Sequence, residues 1–421
     1  MNNRDLQNRR SFLKSSSLLA LAPTVPSFLA NYARSNQAAK DERVLVVIQM
    51  DGGNDGVNTV VPFADEGYAK HRKELFIPKS QLLKLDDTVG LNPAMRSAAK
   101  LWENGELAIL PSVGYPNPNR SHDVSMAIWQ TCQFEEQSRN THGWLGLAAD
   151  GLDRDRNGAP SSLMVGNRER PIALQGRKSV CSSIRNLSGY SLPDELKEST
   201  LIQEQVSKES SLSHASGDVA QSGSRSDLEA FLTRSQTDAY SMADSVKAIV
   251  GKVDGKARYP GSKLGKNLKT IASLMKAGFG TRVYYAIQGG YDTHAVQLRS
   301  HGGLLASLSG GVKAFLDDLK AAKMEDRVVV LCFSEFGRRV DENGSRGTDH
   351  GSAGLTMLAG SNVKAGIHGG YSSLIDLDDG GLKVKTDFRS VYASLMKDWL
   401  KVDAEPVVGK TVEKIDLLED V

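Results

Sequence analysis

The stretch "RVLVVIQMDGGNDG", residues 43–56, decides the fold prediction. Its first half is an unbroken apolar run rich in Val and Ile, which predicts a strand covered on both faces. Its second half places two aspartates, an asparagine and three glycines in six residues. A loop that only reverses the chain needs one or two such residues. This strand end therefore has the composition of a functional site.

Composition limits the class of protein. The chain has 421 residues, of which 40% are hydrophobic and 24% charged, so it can bury a large core. The formal net charge of +2 gives no field that favours a nucleic-acid partner, and we predict none. The three cysteines form no C-x-x-C pair, which argues against a disulfide framework and against a thiolate zinc site.

The N-terminal segment resembles an export signal. Paired arginines in "NRRSFLK" (8–14) precede an apolar stretch that is too short and too interrupted by proline to span a bilayer. This pattern matches a twin-arginine signal, with a signal and linker over residues 1–39 and one domain over 40–421. We therefore expect the twin-arginine export machinery as a partner, a periplasmic or extracellular location and no stable membrane span.

Strand and helix patterns alternate along the rest of the chain. Predicted strands cover 43–50, 106–114, 281–288, 327–334 and 354–360, and predicted helices cover 92–105, 121–132, 262–277 and 296–323. Such alternation predicts an α/β fold, with a doubly wound, mostly parallel sheet sandwiched by helices. The polar, Ser-rich segment at about 179–226 departs from this order, and we interpret it as an insertion that precedes a further helix at 226–250.

Four polar clusters follow the predicted strands or stand near them. They contain Asp51 and Asp55 in "DGGNDG", Asp292 and His294 in "GGYDTH", Glu335 in "SEFGR", and Asp349 and His350 in "GTDHG". The carboxyl ends of parallel strands meet at one edge of a sheet, so we expect these side chains to share a site. Carboxylates and imidazoles suit a divalent metal, with zinc first and manganese or calcium as alternatives. The sequence contains no G-x-S-x-G, Walker A or H-E-x-x-H motif.

Taken in order, the twin-arginine signal, "GGNDGVNTVVP", "SHDVSMAIWQT", "GWLG", "GGYDTH", "SEFGR" and "GTDHG" resemble the exported domain-of-unknown-function family 1501. That family belongs to the alkaline phosphatase and sulfatase superfamily. The resemblance covers about residues 41–400. It implies an alkaline phosphatase-like fold, metal ions, and a nucleophile at the start of a helix.

The resemblance also assigns roles to particular residues. Asp51 matches a strand-ending metal ligand, and Asp55 competes with it for that role. The Asp292–His294 spacing is shorter than the superfamily's, which leaves His301 as a fallback ligand. The "GTDHG" segment permits two alignments. In one, it matches the superfamily's Asp-His-Gly strand end, which would give two ligands, Asp349 and His350. In the alignment we favour, Glu335 replaces the aspartate and Phe336 the histidine of that strand end, and His350 matches the final histidine, which weakens a second metal position.

The nucleophile is the least defined part of the predicted site. Ser121 occupies about the expected place at a helix start, with Arg120 and His122 beside it to hold an anion. The alternative role for Ser121 is a helix N-cap. The Cys-x-Pro-x-Arg signature of sulfatases is absent from the sequence.

Three functions from different classes are consistent with these patterns. The first is a metal-dependent hydrolase of phosphate or sulfate esters, small or borne on a glycan. The second is a non-catalytic protein of the same fold that binds a metal or an anionic glycan. The third is an exported structural factor whose polar loops are only stabilised turns.

Overall fold

We describe a computed structural model of the chain, which covers residues 43–136, 142–152, 161–166, 168–179, 181–184 and 257–420. The twin-arginine segment, the predicted helix at 226–250 and most of the predicted insertion lie outside these residues. The first part of the proposed insertion, Ser182–Ile184, forms an edge strand of the main sheet.

The strands are β1 (Val44–Asp51), β2 (Val60–Val61), β3 (Leu83–Lys84), β4 (Gly90–Leu91), β5 (Leu107–Gly114), β6 (Ser162–Val165), β7 (Ser182–Ile184), β8 (Val283–Gly289), β9 (Val328–Phe333), β10 (Gly354–Ala359), β11 (Gly366–Ile367) and β12 (Thr386–Asp387). The helices are α1 (Gly56–Thr59), α2 (Glu66–His71), α3 (Arg96–Glu103), α4 (His122–Thr131), α5 (Trp144–Gly151), α6 (Lys263–Lys276), α7 (Gln297–Ala321), α8 (Phe388–Ser394) and α9 (Glu405–Val408). A π-helical turn, Leu395–Leu400, continues α8.

The main sheet has the order β11-β5-β10-β9-β1-β8-β6-β7, and β12 also pairs with β5. Strand β1 lies at its centre, parallel to both β8 and β9. Strand β10 is antiparallel to β9 and to β5. The predicted mostly parallel sheet is confirmed, with β10 as the reversed strand.

Helices cover both faces of this sheet because successive side chains of a strand point to opposite sides. Val46 and Ile48 of β1 pack in the cluster that contains α6 and α7, whereas Leu45 and Val47 pack in the cluster that contains α4, α5 and α8. All four side chains are fully buried. The predicted helix–sheet–helix sandwich is therefore confirmed.

Two further features bear on the predictions. Cys132, Cys181 and Cys332 are all buried, and no disulfide joins these described cysteines. Burial raises the pKa of the Cys332 thiol to about 12, which keeps it protonated and unreactive. Among the described residues, every helix is too short or too polar to cross a bilayer.

Candidate metal centre

The predicted polar loops meet at one edge of the sheet. Strands β1, β8 and β9 run in the same direction, so the loops after them leave from the same edge. Because β10 runs the opposite way, the "GTDHG" segment before it returns to that edge. An antiparallel bridge between Arg338 and His350 fixes the last two loops to each other.

Two glycines allow the loop after β1 to lie against its neighbours. Gly52 has φ of +119°, and a Cβ there would lie 2.4 Å from the backbone nitrogen of Asp292. Gly53 has φ of +77°, and a Cβ there would lie 2.3 Å from the Phe336 ring. Residues with a side chain rarely adopt these φ values, and a side chain would have no space at either position. The glycine pair thus brings the loop after β1 into contact with the loops that bear Asp292 and Phe336.

Three histidines surround one carboxylate oxygen at this edge. The donor atoms of His122, Asp292 and His350 lie within 4.8 Å of one another. Asp292 Oδ1 is 3.2 Å from His350 Nε2, 3.1 Å from His294 Nε2 and 3.5 Å from His122 Nε2. The Nε2 atoms of His294 and His350 are 2.9 Å apart. We call these four residues the histidine cluster.

The Nδ1 atom of each histidine in the cluster contacts an oxygen that accepts its proton. His122 donates to Glu335 at 2.8 Å, His294 to Asp349 at 3.1 Å, and His350 to the Arg120 carbonyl at 2.8 Å. A neutral imidazole that donates from Nδ1 carries a lone pair on Nε2. Three Nε2 lone pairs therefore face Asp292, and the Nε2 of His122 is buried without a hydrogen-bond partner.

This donor set fits a divalent cation. A tetrahedral zinc shell with bonds of about 2.0–2.1 Å has ligand atoms roughly 3.3 Å apart. The separations of Asp292 Oδ1 from the three Nε2 atoms, 3.1 to 3.5 Å, are close to that value. The ligand atoms of His122, Asp292 and His350 all lie within 4.8 Å of one another. Two lone pairs 2.9 Å apart repel unless a proton or a cation lies between them. Metal sites commonly place such an acceptor behind each imidazole, which fixes the orientation of the ring.

The charges around the cluster are unequal. Burial by itself would raise the pKa of Asp292, but the hydrogen bond and the charge of the Arg338 guanidinium lower it to about 2. The hydrogen bond that His122 donates to Glu335 raises the pKa of His122, whereas burial lowers the pKa of His350. Asp292 is thus a carboxylate at neutral pH, as a cation ligand must be.

Two buried residues that the sequence analysis did not single out connect the site loops. The Arg338 side chain donates to the carbonyls of Gly52, Gly53, Tyr291 and Thr348, and to Asp292 at 2.6 Å. The second residue, Gln297, donates to Asp55 and accepts from Thr293 and Thr348.

Each of these residues therefore ties together the loops after β1, after β8 and before β10. The "SEFGR" motif already contains Arg338, but its pattern does not show that the guanidinium is fully buried.

The structure corrects the predicted ligand role of Asp55. Its side chain is 0% exposed, and Arg72 binds both carboxylate oxygens at 2.6 and 3.1 Å. Gln297 also donates to one of these oxygens. Burial would raise the pKa of Asp55, yet the Arg72 charge holds it below its usual value. Asp55 is an ionised structural residue, separate from the histidine cluster.

Of the other predicted ligands, some lie directly behind the cluster histidines and others lie away from the cluster. Asp51 contacts Gln49 at 3.0 Å and Arg168 at 3.7 Å, and it is not a member of the histidine cluster. Glu335 and Asp349 lie behind His122 and His294 as hydrogen-bond acceptors. The fallback ligand His301 is buried and contacts Asn54 at 2.9 Å, away from Asp292.

The three predicted catalytic residues at the start of α4 have different environments. Ser121 is exposed and occupies the N-cap position of α4, but its side chain makes no capping hydrogen bond. His122 belongs to the histidine cluster. The guanidinium of Arg120 pairs with Asp379, so only its backbone carbonyl contacts the cluster. Phe336 is buried and packs on the rings of His122 and His350 at centroid distances of 5.0 and 4.8 Å.

The fold and the cluster together define an α/β protein with a histidine and aspartate site at the carboxyl edge of its sheet. Residues 42–378 match the family described as "Protein of unknown function (DUF1501)", and the chain belongs to that family. Comparison with curated proteins finds no match.

Several solved structures resemble the chain at low identity. One is the C-terminal periplasmic domain of EcEptC from Escherichia coli in complex with Zn, at 10% identity and a TM-score of 0.39, covering 92% of this chain and 86% of that one. Another is the sulfatase PsFucS1 from Pseudoalteromonas sp., at 11% identity and a TM-score of 0.38, covering 94% and 74%. A third is a phosphonate monoester hydrolase from Silicibacter pomeroyi, at 12% identity and a TM-score of 0.32, covering 89% and 76%.

Proposed function

We propose that the protein is an exported, metal-dependent hydrolase of phosphate or sulfate esters. The observation that carries the proposal is the convergence of three imidazole Nε2 lone pairs on Asp292. The residues that would hold the cation are His122, Asp292, His294 and His350. Nitrogen-rich donor sets of this kind favour zinc over manganese or calcium.

The chain's own residues would divide the remaining work. A bound cation would polarise the ester and stabilise the charge that develops on it. Glu335, Asp349 and the Arg120 carbonyl hold the three imidazoles in the tautomer that presents Nε2. Arg338 keeps Asp292 ionised and fixes the loops.

Ser121 is the proposed nucleophile. Ser121 is exposed and stands in the chain between Arg120, whose carbonyl contacts His350, and His122, a member of the cluster. The first backbone N–H groups of α4 attract anions. In the reaction the Ser121 oxygen would form a bond to phosphorus or sulfur as the ester bond breaks, and the hydroxyl proton would pass through solvent to the leaving oxygen. Water would then hydrolyse the seryl ester and regenerate the Ser121 hydroxyl. A water molecule that attacks directly is the alternative, and it would make the Ser121 hydroxyl dispensable.

The first test is elemental analysis of the protein purified without chelator, followed by assays on aryl phosphate and sulfate esters. One equivalent of zinc, lost together with activity in a His122→Ala variant, is the expected result. Ser121→Ala should keep the metal and lose turnover. Protein that binds no divalent metal would contradict the proposal, and turnover that survives Ser121→Ala would assign the attack to water.

A second function, metal or anionic-glycan binding without turnover, is favoured by one observation. Phe336 fills the place beside His122 and His350 where a further ligand would stand, and the oxygens of Glu335 are used by His122, Ser334 and the Gly52 backbone. The described residues thus offer one cation position. A metal-loaded protein that hydrolyses none of the esters but binds sulfated glycans would favour this function.

Export is proposed from the sequence alone. Arg9→Lys/Arg10→Lys should retain the protein inside the cell, as read by fractionation of expressing cells. An unchanged periplasmic or extracellular fraction would count against the twin-arginine route.

A further inference from the structure

Two arginines beside the histidine cluster share one exposed carboxylate. Arg120 Nη1 and Arg339 Nη2 both approach Asp379 Oδ2, the second at 3.5 Å, and Arg120 also donates to the Asp379 carbonyl at 2.9 Å. The Asp379 side chain is 72% exposed. Two guanidinium groups that face the same oxygen form a geometry suited to an oxyanion.

Both arginines are tied to the cluster through their backbones. The carbonyl of Arg120 accepts from His350 at 2.8 Å, and the backbone N–H of Arg339 donates to the carbonyl of Asp349 at 2.9 Å. Arg120 therefore both orients His350 and carries one of the two charges. Arg339, which carries the other charge, is bonded to Asp349, the residue that orients His294. The backbones of the two arginines therefore border the proposed cation site, and their guanidinium groups meet at Asp379.

The carboxylate between the arginines is presented by a tight turn. Asp378 and Gly381 exchange two backbone hydrogen bonds of 2.9 Å, and the intervening Asp379 and Gly380 have φ of +44° and +76°. Left-handed positions of this kind are typical of two-residue hairpin turns. The turn packs on Arg339 and Val340, since the Val340 N–H donates to the Gly380 carbonyl at 2.8 Å.

The ion pairs of Asp379 are weak enough for a bound anion to displace its carboxylate from the arginines. Ion pairs between exposed side chains contribute only about 0–1 kcal/mol each. A sulfate ester offers three acceptor oxygens against the two of a carboxylate, and a phosphate monoester also carries more negative charge, so either group can replace Asp379 at the arginines.

We propose that Arg120 and Arg339 form an anion subsite for a sulfate or phosphate group of the substrate, and that Asp379 occupies this subsite until the substrate displaces it. The inference rests on the proposed function only for its location beside the catalytic residues. It assigns the substrate to the anionic class, and it gives Asp379 the role of an internal competitor.

The test is calorimetric titration of chelator-treated protein with inorganic sulfate and, separately, inorganic phosphate. Asn accepts left-handed φ values, so Asp379→Asn should keep the turn. We expect Asp379→Asn to bind sulfate about three- to tenfold more tightly than the wild type, because two exposed pairs no longer compete. The same gain should disappear in Asp379→Asn/Arg339→Gln.

The matched control is Asp376→Asn, which removes an equally exposed carboxylate, paired with Lys383, from the same loop region. It should bind sulfate as the wild type does. Equal affinities for Asp379→Asn and Asp376→Asn, or a gain that survives Arg339→Gln, would overturn the proposal. Since chelator is present throughout, this result is independent of whether the histidine cluster binds a metal.

Discussion

Asp55 and Asp292 both follow central strands of the sheet, and both face a buried arginine. Asp55 is 0% exposed and is closed on all sides by Arg72 and Gln297. The Asp292 side chain is 49% exposed, and its oxygen faces three imidazoles as well as Arg338. Both carboxylate oxygens of Asp55 accept hydrogen bonds from within the protein. Asp292 Oδ1 instead faces imidazole nitrogens whose lone pairs are available to a cation. The difference in partners, and not the residue type, separates a structural carboxylate from a candidate ligand.

The largest effect is expected where the closed site is opened. Asp55→Ala leaves Arg72 buried and uncompensated, and breaking such a pair costs about 3–5 kcal/mol. Urea denaturation should show this loss in the free energy of unfolding. The exposed Asp379→Asn should change that free energy by less than about 0.5 kcal/mol. If Asp55→Ala were equally mild, the pair would not stabilise the loop.

The same buried region should respond to acid through His301. Burial lowers the pKa of His301 to about 4, compared with about 6.5 in the unfolded chain. Between pH 6.5 and pH 4, His301 becomes protonated in the unfolded state but stays neutral in the folded state. The free energy of unfolding should therefore fall by about 3 kcal/mol as the pH drops through this window.

Denaturation curves of the wild type and of His301→Gln would measure this effect. The variant should lack the slope between pH 6.5 and pH 4. An identical slope in both proteins would assign it to another group.

In the histidine cluster, His350→Ala should lower the affinity for zinc. The loss of an outer partner costs about 10–100-fold in affinity, and the loss of a ligand should exceed about 100-fold. Competition with a fluorescent zinc chelator would measure it. His71→Ala is the matched control because His71 pairs with Asp341 outside the cluster. Equal affinities in the two variants would remove His350 from the ligand set.

A smaller effect is expected from the partner of His294. Asp349→Asn leaves an amide that no longer fixes the imidazole by charge, so zinc affinity should fall about 10–100-fold. Asp341→Asn, which removes the carboxylate beside His71, should leave zinc affinity unchanged. The prediction fails if both variants bind zinc as tightly as the wild type.

Local sequence patterns were sufficient for most of the fold. The apolar runs that became β1, β5, β8, β9 and β10 are long enough and rich enough in β-branched residues to be recognised. The reversal of β10 was not predictable, because strand direction depends on how the chain returns to the sheet and not on the strand's own residues. The loss of Asp55 as a ligand was equally hidden, since Arg72 is 17 residues away and shows no motif.

The sequence by itself determined the sandwiched sheet, the polar loops at its edge and the membership of Asp292, His294 and His350 in one site. Periodicity and residue type carry that information along the chain. Only the tertiary structure decided which carboxylates are sealed, that Arg338 and Gln297 join three loops, and that each cluster histidine has an acceptor behind it. Those properties depend on burial and on contacts between residues far apart in the chain, such as Arg338 and Gly52, which are 286 positions apart, and no local pattern records them.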